Sequence, residues 1–222
     1  MKSAKMKSDK KQNKITKTTK TKRGTDYSPY IISLKDIFKN APDNLNNKPD
    51  FSPLSGSEPN FEPSKWNDRS NIKYTHNCYA YVLNRILQQR IGKPQPGYFS
   101  NFPPLSINDY HCQEFYKRLK KDMPSMYLVK FDERCKKGFY KGFIVLDDKA
   151  SDQDYHFYRQ DSSGYWSHKP GRTEAIDFDA SDQKIINPEK ANRKYKSYNY
   201  SKPCFFFCLN PDLSKAHSVT KA

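Results

Sequence analysis

The residues of this chain best suited to nucleophilic or acid–base chemistry are its five cysteines and five histidines: Cys78, Cys112, Cys135, Cys204 and Cys208, with His76, His111, His156, His168 and His217. Cys78 stands apart from the other cysteines. It follows the polar run Tyr74-Thr75-His76-Asn77 and opens an apolar-periodic segment, which places it in the first turn of an expected helix. Unpaired amides and the positive end of the helix dipole favour a thiolate there, and the same amides can hold an oxyanion. His156 and His168 lie twelve residues apart in DYHFYRQDSSGYWSHKPG. A hairpin turning at Ser162–Gly164 puts them on neighbouring strands near one end, where one imidazole can orient the other. His111 adjoins Cys112 on a helix, and adjacent helical residues do not face each other.

The other four cysteines do not share this position. An odd total without CxxC spacing argues against a disulfide framework or a zinc ribbon. Cys204 and Cys208 are four apart in CFFFC, so on a strand they share a face and enter the core as small apolar residues. Cys135 falls in the charged turn DERCKKG.

The elements that must hold these groups follow from periodicity. NCYAYVLNRILQQRI repeats its apolar residues at helical spacing, and Gly92 and Pro94 close it, so a helix is expected over 77–91. A second is expected over 107–121, started by a capping box of Ser106 and Asp109. The pattern then shortens to aromatic and β-branched runs at 126–131, 139–147, 155–160, 165–168 and 204–209, broken by Gly, Asp and Ser. These are strand signals, and Asp161–Gly164 is a hairpin turn between two of them. Helices first and a mostly antiparallel sheet afterwards make an α+β domain.

Charge sets the outer organisation. The chain has 222 residues and a formal net charge of +16. Residues 1–24 carry ten Lys and Arg against one Asp, without apolar periodicity, and read as a disordered basic arm able to contact a polyanion. Six prolines make 25–70 an extended segment, apart from a short helix expected at Ser33–Asn40. Residues 71–210 form the α+β domain and 211–222 a tail. No stretch has the roughly 20 apolar residues of a membrane span. No apolar run follows the N-terminal lysines, so a secretory signal is not expected and the chain reads as cytoplasmic or virion-associated. Its Lys-, Asn-, Tyr- and Ile-rich composition suits an AT-rich, for instance viral, genome. With eight Gly and no phosphate-binding fingerprint, no nucleotide cofactor is expected, and no carboxylate or further Cys has the spacing to complete a metal site with Cys78, His156 and His168.

Taken in order, these motifs resemble the NlpC/P60 family of papain-like cysteine hydrolases. Asn77-Cys78-Tyr79-Ala80 stands where members carry Asp-Cys-Ser-Gly. His156-Phe157-Tyr158-Arg159 corresponds to their histidine-bearing strand, and His168-Lys169-Pro170-Gly171 to the second histidine and its Pro-Gly segment. The resemblance covers about residues 70–210. It implies a papain-like domain whose Cys-bearing helix packs on the sheet. It also implies a peptide, amide or ester substrate attacked by Cys78 through a thioester, with His156 as base and His168 as orienting residue. The Cys78 amide would be one oxyanion donor, and Tyr74, His76 or Asn77 the second. The alternative reading is a non-catalytic binding or virion-associated module of the same frame, whose basic arm holds nucleic acid or another polyanion.

Overall fold

Five strands form where the aromatic and β-branched runs predict them. In a computed structural model, which describes residues 51–67, 70–88, 93–147 and 153–216, they are β1 (Tyr127–Val129), β2 (Tyr140–Asp147), β3 (Asp154–Gln160), β4 (Trp166–His168) and β5 (Lys202–Leu209). They pair antiparallel throughout, in the order β1-β5-β2-β3-β4. The turn between β3 and β4 is the expected one. Gly164 takes φ 88°, and its amide donates to the Asp161 carbonyl at 2.8 Å.

The helices are shorter than their periodicity suggests. They are α1 (Pro63–Asn67), α2 (Ser70–Thr75), α3 (Cys78–Val82) and α4 (Cys112–Asp122). The helix expected over 77–91 stops after five residues. Asn84 adopts a left-handed φ of 49°. The Arg85 amide then reaches back to Ala80 O at 3.1 Å and the Asn84 amide to Tyr81 O at 2.9 Å. This is a Schellman closure, with Asn in the place glycine usually takes. The helix expected over 107–121 is split. Ile107–Asp109 is a single 3-10 turn held by Ser106 and Asp109, and α4 begins anew with His111 as N-cap. Residues 63–70, part of the segment expected to be extended, hold α1 and the start of α2, with proline at the first position of α1, where its missing N–H costs nothing. The arm over 1–24, the helix expected at Ser33–Asn40 and residues 217–222 of the tail lie outside the described residues.

Both faces of the sheet are covered. β2 is buried along all eight residues and β3 along six of seven. One face carries Ile144, Leu146, Tyr155, Phe157 and Phe207, packed against α3 and α4 through Tyr79, Val82, Phe115 and Leu119. The other carries Phe143, Val145, Tyr158, Trp166 and Phe206, roofed by the irregular segment after β4 through Ile185, Tyr195 and Tyr200. α3 lies so close to the sheet that a Cβ on Gly142 would meet Phe207 Cζ at 2.7 Å and Val82 Cγ2 at 3.0 Å. Tyr140 Oη donates to Val82 O and Tyr79 Oη to Asp122, both buried, and these bonds tie α3 to β2 and to α4.

The cysteine expectation is corrected here. Two disulfides form, Cys112–Cys204 and Cys135–Cys208. Cys204 and Cys208 do not share a face. Ile144 pairs with Phe205 but Val145 pairs with Pro203, which leaves Cys204 as the extra residue of a β-bulge. A bulge shifts the side-chain alternation by one. Cys204 therefore turns to the α4 face and meets Cys112, while Cys208, opposite Lys141, turns to the other face and meets Cys135.

Candidate functional site

Cys78 does open a helix, as its sequence position predicts. Asn77 caps it: its side-chain oxygen accepts from the Ala80 amide at 3.1 Å and its amide group donates to Pro94 O at 2.8 Å. Both ends of the Asn77 side chain are engaged in the helix cap and the 93–97 loop. Tyr74, the other candidate, is 55% exposed and has its ring beside the Lys73 ammonium. His76 is buried, and its ring accepts from the Leu87 amide and bonds Thr75 Oγ1.

Cys78 itself is 5% exposed and packs among Tyr79, Val82, Tyr155 and Phe157. Its sulfur lies 3.9 Å from the Tyr155 carbonyl. Burial pushes the thiol up to about 12, and the Asp154 carboxylate adds to the push. At neutral pH it is a thiol, not a thiolate. A helix of five residues offers too little dipole to reverse this.

His156 and His168 come together. Tyr158 pairs with His168 across β3 and β4, so His156 is the diagonal neighbour, and His156 Nε2 lies 2.8 Å from His168 Nδ1. His168 Nε2 is 2.9 Å from the Phe178 carbonyl, which can only accept. His168 therefore carries its proton on Nε2, and its bare Nδ1 accepts from His156 Nε2–H. The His156 ring stacks on Tyr200 at 5.2 Å and meets Tyr158 edge-on at 5.1 Å. Burial pushes His156 well below its ordinary range, and the neighbouring His168 adds to this. Burial likewise pushes His168 down to about 4, against the Phe178 carbonyl. Both are neutral imidazoles at neutral pH.

The structure does not bring the cysteine to this pair. Tyr155 and Phe157 face Cys78, so His156, between them, faces away. It stands opposite Val145 on the Tyr158 side of the sheet, under Tyr200. The sheet lies between the expected nucleophile and the expected base. Among the described residues, no three His, Cys, Asp or Glu side chains converge to hold a metal ion.

Among the described residues four cations are buried that sequence reasoning missed: Arg118, which pairs with Asp109 and Glu114, and Lys141, Arg159 and Lys169. Arg159 is fully buried. It bonds Asp161 through Nε and Nη2 at 3.0 and 2.8 Å, and stacks on the Tyr81 ring at 4.2 Å. Lys169 is sealed inside a ring of carbonyls from Lys73, His76, Gly171 and Thr173. Lys141 meets Ser52, Phe131 and Glu133. Burial pushes both lysines down to about 8. The alternation of Lys141 with Phe143 and Val145 was the available signal: a charge in phase with core residues must find buried partners.

No family model and no solved structure matches the chain. Over 134 residues it is 61% identical to "Insoluble matrix shell protein 1" of Ruditapes philippinarum, a span of 60% of this chain and 80% of that relative. The chain belongs to that family. Membership of the shell-matrix family overturns the NlpC/P60 resemblance and with it the hydrolase, thiol-protease and viral expectations. The geometry gives the physical reason. A twelve-residue histidine spacing arises in any tight hairpin, and a cysteine at a helix start can be core. Cys78 is buried where α3 packs on one face of the sheet, and His156 and His168 are buried on β3 and β4 against the other.

Proposed function

We propose that this chain is a non-catalytic structural module of an insoluble extracellular matrix. The similarity to the shell-matrix protein carries the reading. Two observations support it. Two long-range disulfides suit an oxidising compartment outside the cell. The nucleophile and imidazoles that looked catalytic are sealed inside two separate layers. Among the described residues no helix is long and apolar enough to cross a membrane. The 1–24 segment, with its excess of nine positive charges, adds a contact for polyanionic matrix components.

The test is fractionation of the source tissue and its secreted matrix, with an antibody to this chain. The chain should stay with the matrix after salt and detergent extraction. Recovery in the cytosol would overturn the reading.

A further inference from the structure

We propose that Tyr198 is an oxidative coupling site, at which one copy of this chain becomes joined to a second copy through a carbon–carbon bond between phenol rings. This deepens the matrix reading and rests on it for its biological setting.

The cysteines leave the question open. Insolubility of a matrix calls for covalent links between chains or very dense association. Four of the five cysteines are spent on bridges within the chain, and the fifth, Cys78, is buried. Interchain disulfides are therefore not available to the folded molecule. Tyrosine is the other side chain that cross-links by oxidation, and the chain has 16.

Exposure alone does not single out Tyr198. Among the described residues Tyr74 is 55% exposed, Tyr98 45%, Tyr198 40% and Tyr116 37%. Surroundings do. A phenol that gives up an electron becomes strongly acidic and must also release its proton. Tyr198 lies flat on Tyr200, with ring centres 5.8 Å apart and planes 15° apart. Tyr200 donates its phenolic hydrogen to the Asp154 carboxylate at 2.7 Å, so a proton acceptor is already in place. Tyr200 is 5% exposed, and its other face covers His156. An electron removed from this stack is drawn from two phenols, but only Tyr198 can present its ring to another molecule. The competing tyrosines lack this arrangement. Tyr74 has the Lys73 ammonium near its ring, which opposes loss of an electron. The ring contacts of Tyr98 and Tyr116 among the described residues are edge-on to phenyl rings, Phe99 and Phe205, which take no proton.

There is also room for the partner. Tyr198 borders an open cleft of about 410 Å³ lined by Leu105, Ile107, Tyr110 and Asp154 among others. An aromatic ring from a second copy can lie there against Ile107 and Tyr110. The oxidant is a peroxide consumed by a haem peroxidase. Each of two phenols loses one electron and one proton, and the peroxide takes both pairs to become two waters. The two phenoxyl radicals join at ring carbons next to the hydroxyls, and the displaced ring hydrogens return to the oxygens.

The experiment uses the full chain with its disulfides intact, treated with a plant peroxidase and hydrogen peroxide. A dimer should form that survives boiling with reductant, shows the fluorescence of coupled phenols and maps by mass spectrometry to Tyr198. Tyr198→Phe should lose the early dimer, and Tyr200→Phe should slow it. A Tyr74→Phe/Tyr98→Phe/Tyr116→Phe chain should keep it, as should Tyr27→Phe/Tyr30→Phe. Buried Trp66 and Trp166 report that each variant is folded. Dimerisation of Tyr198→Phe at the wild-type rate, or coupling mapped evenly over all tyrosines, overturns the proposal. Either result leaves the matrix reading standing, because that reading is decided by where the chain fractionates.

Discussion

Replacing Cys112 and Cys204 by serine opens a loop of 92 residues. In the chain-entropy account, closing such a loop removes about 4.6 kcal/mol of unfolded-state freedom at 25 °C. The second bridge closes 73 residues and by itself would contribute about 4.4 kcal/mol. The two loops overlap, however. With Cys112–Cys204 formed, the path from Cys135 to Cys208 runs back through Cys112, across the bridge and along β5, about 27 residues, and the second closure contributes about 3.6 kcal/mol. Measured bridges usually deliver less, roughly 2–4 kcal/mol each. Net stabilities of domains are about 5–15 kcal/mol, so losing both bridges should bring this one close to unfolding. Urea unfolding followed by the fluorescence of Trp66 and Trp166, both fully buried, is the assay. The wild-type midpoint should fall on reduction, and Cys112→Ser/Cys204→Ser should lie between the two forms. Superimposable curves for oxidised and reduced chain would refute the reasoning.

Stability should also fall in acid because of the histidine pair. His168 is held down to about 4 in the folded chain against about 6.5 unfolded, so its contribution is complete above pH 6.5 and disappears as pH falls towards 4. His156 acts in the same direction. That difference corresponds to about 3 kcal/mol. Burial raises the carboxyls of Asp122, Asp154 and Asp161, and these oppose the trend, so the informative quantity is the difference from His168→Gln, whose midpoint should depend less on pH over this window. Arg159→Met strands Asp161 in the core and should cost about 3–5 kcal/mol. Most of this should return in Arg159→Met/Asp161→Leu, and failure of the double variant to recover would show the ion pair to be worth more than its removal. Gly142→Ala should cost about 1–3 kcal/mol through overpacking against Phe207 and Val82, and Phe207→Leu in the same chain should relieve it. Iodoacetamide at pH 8 should leave Cys78 unmodified until denaturant is added; fast labelling of the native chain would contradict its burial.

The strands were legible in the sequence because aromatic and β-branched runs between turn residues report local geometry directly. The meeting of His156 and His168 was legible too, since Gly164 fixes the hairpin and the hairpin fixes the register. The face on which His156 lies was not. In a sheet open on one side, polar residues mark the outside, but here β2 and β3 are buried on both faces, so the alternation carries no label. The length of α3 was hidden for a different reason. Leu83, Ile86 and Leu87 keep helical spacing past Asn84, and only the left-handed Asn84 ends the helix. The disulfides depended on a bulge at Cys204, a one-residue event that composition and periodicity do not record.

That bulge has a mechanical consequence. Because it turns Cys204 one way and leaves Cys208 turned the other, β5 is pinned covalently from both sides of the sheet within five residues. A pull along the chain is carried from Cys112 straight across to Cys204 on β5, bypassing β1 to β4. The 92 residues of separation between them cannot be drawn out while the bridge holds. At about 3.4 Å per residue, some 300 Å of slack is withheld from the chain under tension. A module built this way meets force as a short, stiff link rather than as a spring.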